Sequence, residues 1–86
     1  MRFYYTYGSD ANFPFYGGWT TIIAENIDTA EEIFRKLHPD RQNSKALNCA
    51  GVYSEDEFKR TNMYKNNNNL GYAEHECIRQ PGYLRS

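Results

Sequence analysis

The segment from Asp28 to Pro39 constrains the fold most strongly, because it carries a complete signal for an amphipathic helix. Its apolar residues recur at the i, i+3, i+4, i+7 spacing of one helical stripe, namely Ala30, Ile33, Phe34 and Leu37. Asp28 or Thr29 is the predicted N-cap, since each is followed three residues later by a glutamate. Pro39 cannot continue the hydrogen-bonded ladder, so we expect the helix to end at about His38.

Alternating patterns before and after this helix predict strands against which its apolar stripe can pack. The predicted strands cover residues 2–7, 19–24, 46–53 and 72–78. A short second helix is predicted at 55–61, because Ser54 is a good N-cap and Glu57 completes a capping box. Tyr53 and Phe58 have the spacing of a hydrophobic staple around that cap. The predicted order is therefore β-β-α-β-α-β.

This order predicts a single small α+β domain covering residues 1–86. We expect a mostly antiparallel four-stranded sheet with the main helix packed across one face. The first two strands are expected to form a hairpin, and residues 79–86 are expected to form a loose tail. A chain of 86 residues buries enough surface for one modest core and does not usually divide into two domains.

Charge and hydropathy exclude several classes of protein. Ten Lys and Arg residues against 11 Asp and Glu residues leave a net charge of -1, whereas a dedicated nucleic-acid binder would be basic. The balance also argues against a strongly acidic DNA mimic. There is no run of about 18 apolar residues that could span a membrane, and the first residues lack the apolar core of a signal peptide. We therefore expect a cytoplasmic protein with no membrane partner, whose two cysteines are reduced thiols.

Aromatic residues are concentrated near the start of the chain, with seven between Tyr4 and Trp19. Pro14 stiffens the loop at 13–18, and its two glycines allow close approach by a partner. Tyrosine and tryptophan dominate protein-interface hot spots, so an outward-facing set would form a binding surface. The alternative is that the rings fill the small core and its rim. The predicted binding residues are Phe13, Phe15, Tyr16, Trp19 and Tyr4, with Arg35, Arg41 and Lys45 as basic groups for an acidic face or a phosphate.

The sequence supports two further hypotheses less strongly, a metal site and an enzymatic site. His75 and Cys77 are expected on one face of a strand with Cys49 alongside, and three such ligands could hold zinc. A fourth ligand is missing, His38 being a distant candidate, and buried thiols are commoner than ligating ones. Cys49 could also act as a nucleophile, with His75 as its base and Glu74 or Glu76 as the group that orients the base. Because no phosphate loop or nucleophile elbow accompanies them, we predict a non-enzyme without metal or cofactor.

Five segments together resemble a family of short proteins carried by phages and mobile elements of Gram-positive bacteria. They are Tyr4-Tyr5-Thr6-Tyr7-Gly8, the aromatic segment from Phe13 to Trp19, His38-Pro39-Asp40, Leu47-Asn48-Cys49, and Val52-Tyr53-Ser54-Glu55 with Phe58. The resemblance covers about the first eighty residues and assigns no catalytic or binding residue. It implies a modulator of host or anti-phage machinery, acting in the host cell's cytoplasm.

The prediction that follows is a non-enzymatic binding protein that inhibits a bacterial host protein, for example a defence-system effector of the CRISPR type. An oligomeric sponge for a nucleotide signal is a different class of function, since a small sheet encloses a ligand only with help from a second copy. A zinc-stabilised domain or a cysteine enzyme is the third alternative. The edges of four short strands also allow a homodimer.

Overall fold

The computed structural model describes residues 1–8, 13–40, 47–61 and 74–82. Within these ranges there are four strands, β1 (Arg2–Thr6), β2 (Trp19–Ile23), β3 (Gly51–Ser54) and β4 (Glu74–Arg79). There are two helices, α1 (Ile27–Leu37) and α2 (Glu55–Lys59). The predicted β-β-α-β-α-β order is confirmed. Neither helix is long and apolar enough to cross a membrane.

The strands form one mixed sheet in the order β3-β1-β2-β4. β1 is antiparallel to both of its neighbours, and it pairs with β2 as the predicted hairpin, with Phe3 opposite Ile22. β4 is the exception, because it runs parallel to β2. The sheet is thus mostly antiparallel, as predicted, and the α+β class is confirmed.

α1 covers the face of the sheet that carries the odd-numbered residues of the first strand. Phe3, Tyr5 and Tyr7 are all buried on this side. The ring of Phe34 stacks on that of Tyr5 with a centroid distance of 4.4 Å and an interplanar angle of 8°. Ala30 is fully buried in the same cluster, so the predicted apolar stripe of the helix does pack on the sheet.

α2 covers the opposite face, which the sequence pattern left without a helix. Phe58 stacks on Tyr4 at 4.1 Å and meets Trp19 edge-on at 4.9 Å. The predicted capping box holds the start of this helix, since Glu57 N donates to Ser54 Oγ and Ser54 N donates to Glu57 Oε1. A helix of five residues is therefore placed by its cap and by one buried ring.

The predicted N-cap of α1 is wrong, because Asn26 occupies that position. Its Oδ1 accepts a hydrogen bond from Thr29 N at 2.8 Å, and the helix begins at Ile27. Asparagine caps helices as well as aspartate does, and this start places Asp28 in the first turn, where a negative charge favours the helix dipole.

Other boundaries also differ from the predicted ones, and β1 and β2 each end one residue early. β3 begins at Gly51, because Cys49 N donates to Leu47 O in a tight turn just before it. α2 ends at Lys59, two residues early. Regular pairing continues past the predicted start of the tail, since β4 includes Arg79 and the next residue, Gln80, donates from its backbone N to Ile23 O at 2.8 Å. Residues 41–46, 72–73 and 83–86, on which parts of the predictions fall, lie outside the described ranges.

Candidate functional site

The loop at 13–18 is held at its base by backbone hydrogen bonds. Gly17 N donates to Gly8 O at 2.7 Å, and Tyr7 N donates to Gly18 O at 3.3 Å. Gly17 and Gly18 have φ angles of 68° and 69°, which residues with a side chain rarely adopt. The two glycines therefore let the chain turn tightly into β2 while the loop stays fixed to the end of β1.

Phe13 and Phe15 belong to the rim of the core. Both are half-buried and pack against the cluster under α1. The ring of Phe15 stacks on His75 at 4.5 Å with an interplanar angle of 6°, and it lies 5.3 Å from the ring of Tyr7. His75 Nε2 donates to Gly17 O at 2.7 Å, so β4 also fixes this loop.

Tyr16 is the aromatic residue of this loop that faces outward. Its exposed fraction is 73%, against 7% for Trp19 three residues later. The neighbouring residues on both sides are tied to the sheet, so the ring projects from a fixed backbone. A large amphipathic ring presented in this way has the character of an interface anchor.

Trp19 and Tyr4 lie on the other face of the sheet, away from Phe15. With Phe58 they form the aromatic part of a cleft of about 330 Å³ beside α2. The cleft also contains two cationic and two anionic side chains, those of Arg2, Lys59, Glu55 and Glu74. The aromatic residues that were predicted to form one binding surface are thus divided between the two faces of the sheet.

Arg35 is engaged in two ion pairs on α1. Its guanidinium lies 2.9 Å from Glu31 Oε1 and also bonds Asp40. The hydrogen bond to Glu31, together with the charge of Asp40, raises the pKa of Arg35. Arg41 and Lys45, the other two predicted basic groups, lie outside the described residues. The described residues therefore do not join Arg35 to an aromatic surface.

A chain of hydrogen bonds lies on the sheet face that α1 covers, and it was not predicted from the sequence. Thr20 Oγ1 donates to Glu76 Oε2 at 3.0 Å, so its only proton is used there and Tyr7 Oη must donate to Thr20. His38 Nε2 lies 2.5 Å from the same Glu76 oxygen. Burial raises the pKa of Tyr7, which keeps the phenol protonated as a donor.

This chain places two donors, Thr20 Oγ1 and His38 Nε2, on one carboxylate, and it links the end of β1, β2, β4 and the end of α1. In sequence Glu76 lies 38 residues from His38 and 56 from Thr20, so no local spacing points to the cluster. The carboxylate of Glu76 holds the side chains of Thr20 and His38 in fixed orientations in a partly buried site. The hydroxyl proton of Thr20 is committed to the carboxylate, so the arrangement serves positioning better than nucleophilic attack.

The predicted placement of His75 and Cys77 on one face is wrong. β4 has an irregular register, in which Glu74 pairs with Trp19 and Glu76 pairs with Thr20, so His75 is an extra residue. The extra residue turns His75 toward Phe15, whereas Cys77 pairs with Thr21, whose side chain lies on the α2 side with Trp19.

Cys49 is not on the same side of the sheet as Cys77. It packs half-buried against the cluster under α1, and burial raises the pKa of its thiol to about 11. Among the described residues, no three His, Cys, Asp or Glu side chains are grouped so that they could hold a metal ion.

Comparisons of the chain with protein-family models, with curated proteins and with solved structures found no significant match.

Proposed function

We propose that the chain is a small non-enzymatic protein-binding module whose contact surface is centred on Tyr16. The observation that carries the proposal is the 73% exposure of this ring on a loop whose neighbouring residues are hydrogen-bonded and stacked in place. We define the loop surface as Phe13, Phe15, Tyr16 and His75.

Preorganisation is the physical reason to favour this surface. Ordering a flexible loop on binding reduces affinity, whereas a loop that is already fixed avoids that loss. The Phe15–His75 stack and the His75–Gly17 hydrogen bond fix the base, and a tyrosine side chain has few rotatable bonds to immobilise. The net charge of -1 favours recognition by shape and apolar contact over long-range attraction.

We propose a bacterial host protein as the partner, and inhibition of that protein as the outcome. The sequence resemblance to short phage and mobile-element proteins of Gram-positive bacteria supports this partner class, which includes defence-system effectors of the CRISPR type. The chain would then act in the host cell's cytoplasm.

Affinity capture from a bacterial lysate tests the proposal with a matched pair of variants. Tyr16→Ala removes the outward ring, and Ile27→Ala truncates another exposed apolar side chain, 43% exposed at the start of α1. We expect wild type and Ile27→Ala to enrich the same protein and Tyr16→Ala to lose it by about tenfold or more, the size of an interface hot spot. Unchanged melting temperatures show that folding is intact. Equal capture by all three proteins contradicts the proposal.

Small-ligand binding in the cleft beside α2 is a second candidate function. Its volume of about 330 Å³ lies within the range of ligand sites, and its aromatic and cationic groups suit the base and phosphate of a nucleotide. A nucleotide sponge would raise its melting temperature in a panel of cyclic and linear nucleotides. The absence of any shift, together with a monomer by light scattering, counts against this function.

A further inference from the structure

The charged side chains of the cleft beside α2 enter it from two sides. Arg2 on β1 and Glu74 on β4 line it from the sheet, and Glu74 pairs with Trp19, whose ring meets α2. Glu55 and Lys59 line it from α2, where they form an ion pair with an Nζ–Oε2 distance of 3.5 Å. Each side of the cleft therefore contributes one cation and one anion.

The carboxylate of Glu74 is oriented by a hydrogen bond and keeps acceptor positions for a ligand. Burial and the neighbouring charge of Glu74 raise the pKa of the Cys77 thiol, so the thiol stays protonated and donates to that carboxylate. The Arg2 guanidinium donates to the same sulfur, so the thiol holds an anion and a cation beside each other. A carboxylate has about four acceptor positions, a thiol has one proton, and Glu74 is exposed.

Guanine is the common nucleobase whose edge fits a single carboxylate. Its N1–H and its amino group are adjacent donors, so they can donate in parallel to the two carboxylate oxygens. Adenine and cytosine place an acceptor nitrogen beside their amino group, and uracil has one ring N–H between two carbonyl oxygens. Each of these edges sets a lone pair against the negative charge of Glu74, which disfavours it.

The cationic side chains of the cleft suit a phosphate group, and their number limits its charge. Exposed ion pairs contribute little, and 50% of the Lys59 side chain is exposed, so Lys59 can exchange Glu55 for a phosphate. Arg2 is the second cation of the cleft. The carboxylate of Glu55 stays close by, and it repels a triphosphate more strongly than a monophosphate.

We propose, on the basis of the second candidate function, that this cleft selects a guanine nucleotide with a single phosphate group. The base donates to Glu74 from its N1–H and its amino group, and the phosphate binds Lys59 and Arg2. Glu74 then determines the specificity for the base, and Cys77 is a positioning residue that acts through Glu74.

Isothermal titration calorimetry of the full chain with GMP, AMP and GTP tests the selectivity. We expect GMP to bind about tenfold or more tightly than AMP, which is the discrimination that a bidentate hydrogen-bonded pair gives. GTP should bind more weakly than GMP, because its additional charge meets Glu55.

Glu74→Gln is the decisive variant, because it replaces one acceptor oxygen with an NH2 donor. It should weaken GMP binding about tenfold and remove the preference over AMP. Glu32→Gln is the matched control, since it removes the same charge from an exposed position on α1 and should bind GMP like the wild type. Both variants change exposed side chains, so we expect unchanged melting temperatures.

The role of Cys77 is tested by two substitutions. Cys77→Ala removes the donor to Glu74, and it should reduce the ratio of GMP to AMP affinity by about threefold, roughly the effect of one weak hydrogen bond. Cys77→Ser keeps a donor and should restore that ratio. A structural effect alone would change both affinities equally.

The outcomes separate this proposal from the function on which it rests. Equal binding of GMP and AMP, or a GMP preference that survives Glu74→Gln, overturns the assignment of guanine to Glu74 and leaves ligand binding in the cleft intact. If none of the three nucleotides binds, the second candidate function fails, and the guanine assignment fails with it.

Discussion

His38 Nε2 lies 2.5 Å from Glu76 Oε2, and this contact ties the end of α1 to β4. His38 is the residue that ends the helix, and only 17% of its side chain and 22% of that of Glu76 are exposed. The same strand carries His75, which belongs to the loop surface. The contact between His38 and Glu76 therefore helps to position the loop surface against the helix.

We predict that Glu76→Gln lowers the free energy of unfolding by about 1–3 kcal/mol, since hydrogen bonds to a charged group are stronger than neutral ones. Urea denaturation measures the change. A double-mutant cycle with His38→Gln should give a coupling energy on the order of 0.5–3 kcal/mol. Strictly additive effects would mean that the two side chains do not interact in solution.

Loss of the hydroxyl should have different effects on the free energy of unfolding at two buried tyrosines, Tyr5 and Tyr7. Among the described residues Tyr5 Oη is buried and has no hydrogen-bond partner, whereas Tyr7 Oη bonds Thr20. Tyr5→Phe should therefore leave stability unchanged or raise it by up to about 1 kcal/mol, and Tyr7→Phe should lower it by about 1 kcal/mol. Both variants keep a ring beside Phe34, so they are matched controls in thermal unfolding. The reverse order of stabilities would contradict the hydrogen-bond assignment.

The capping box of α2 should contribute measurably to stability, because this helix has only five residues. Ser54→Ala removes the oxygen that accepts from Glu57 N, and we expect a loss of about 1 kcal/mol. Ser54→Asp keeps an acceptor and should recover most of that loss. Chemical denaturation of the three proteins measures both effects. If alanine and aspartate destabilise equally, the cap is not what places the helix.

Stability should fall in alkaline solution as the pH rises from 9 to 11. Burial raises the pKa of Cys49 from 9.0 to about 11, and it also raises the pKa of Tyr5 and Tyr7 above that of ordinary tyrosine. Between pH 9 and 11 the unfolded chain therefore releases the Cys49 proton while the folded chain retains it. The stabilising contribution is complete below pH 9 and is lost as pH rises through this window.

Denaturation curves recorded from pH 7 to 11 test this dependence. Cys49→Ala should flatten the fall between pH 9 and 11, whereas the exposed Cys77→Ala variant should change it less. A stability that stays constant across the window would show that the Cys49 thiol is hydrated.

Local sequence patterns predicted the strands and helices well, but they predicted poorly which residues of different elements contact one another. The apolar stripe of α1 and the capping box of α2 depend on residues within one or two turns, and both are confirmed. The cap at Asn26 was missed because three of the four residues from 26 to 29 are good caps. The irregular register that separates His75 from Cys77 has no signal within β4, since it exists only in the pairing with β2.

For the candidate site too, local sequence patterns predict one part and tertiary contacts decide the other. A proline and a pair of glycines indicate a loop at 13–18, and an aromatic residue in a loop is a reasonable interface candidate. Which ring stays outside depends on what covers each face. Phe58 buries Trp19, the core rim takes up Phe15, and Tyr16 alone of these three loop and strand aromatics remains largely exposed.

The order of the strands and helices could be predicted from the amino-acid sequence alone. These depend on backbone preferences and caps, which act over a few residues. Tertiary structure alone decided that α2 covers the second face, that β4 lies parallel to β2, and that His38 meets Glu76. Burial and hydrogen-bond partnership are properties of surfaces brought together from distant parts of the chain, so no local pattern contains them.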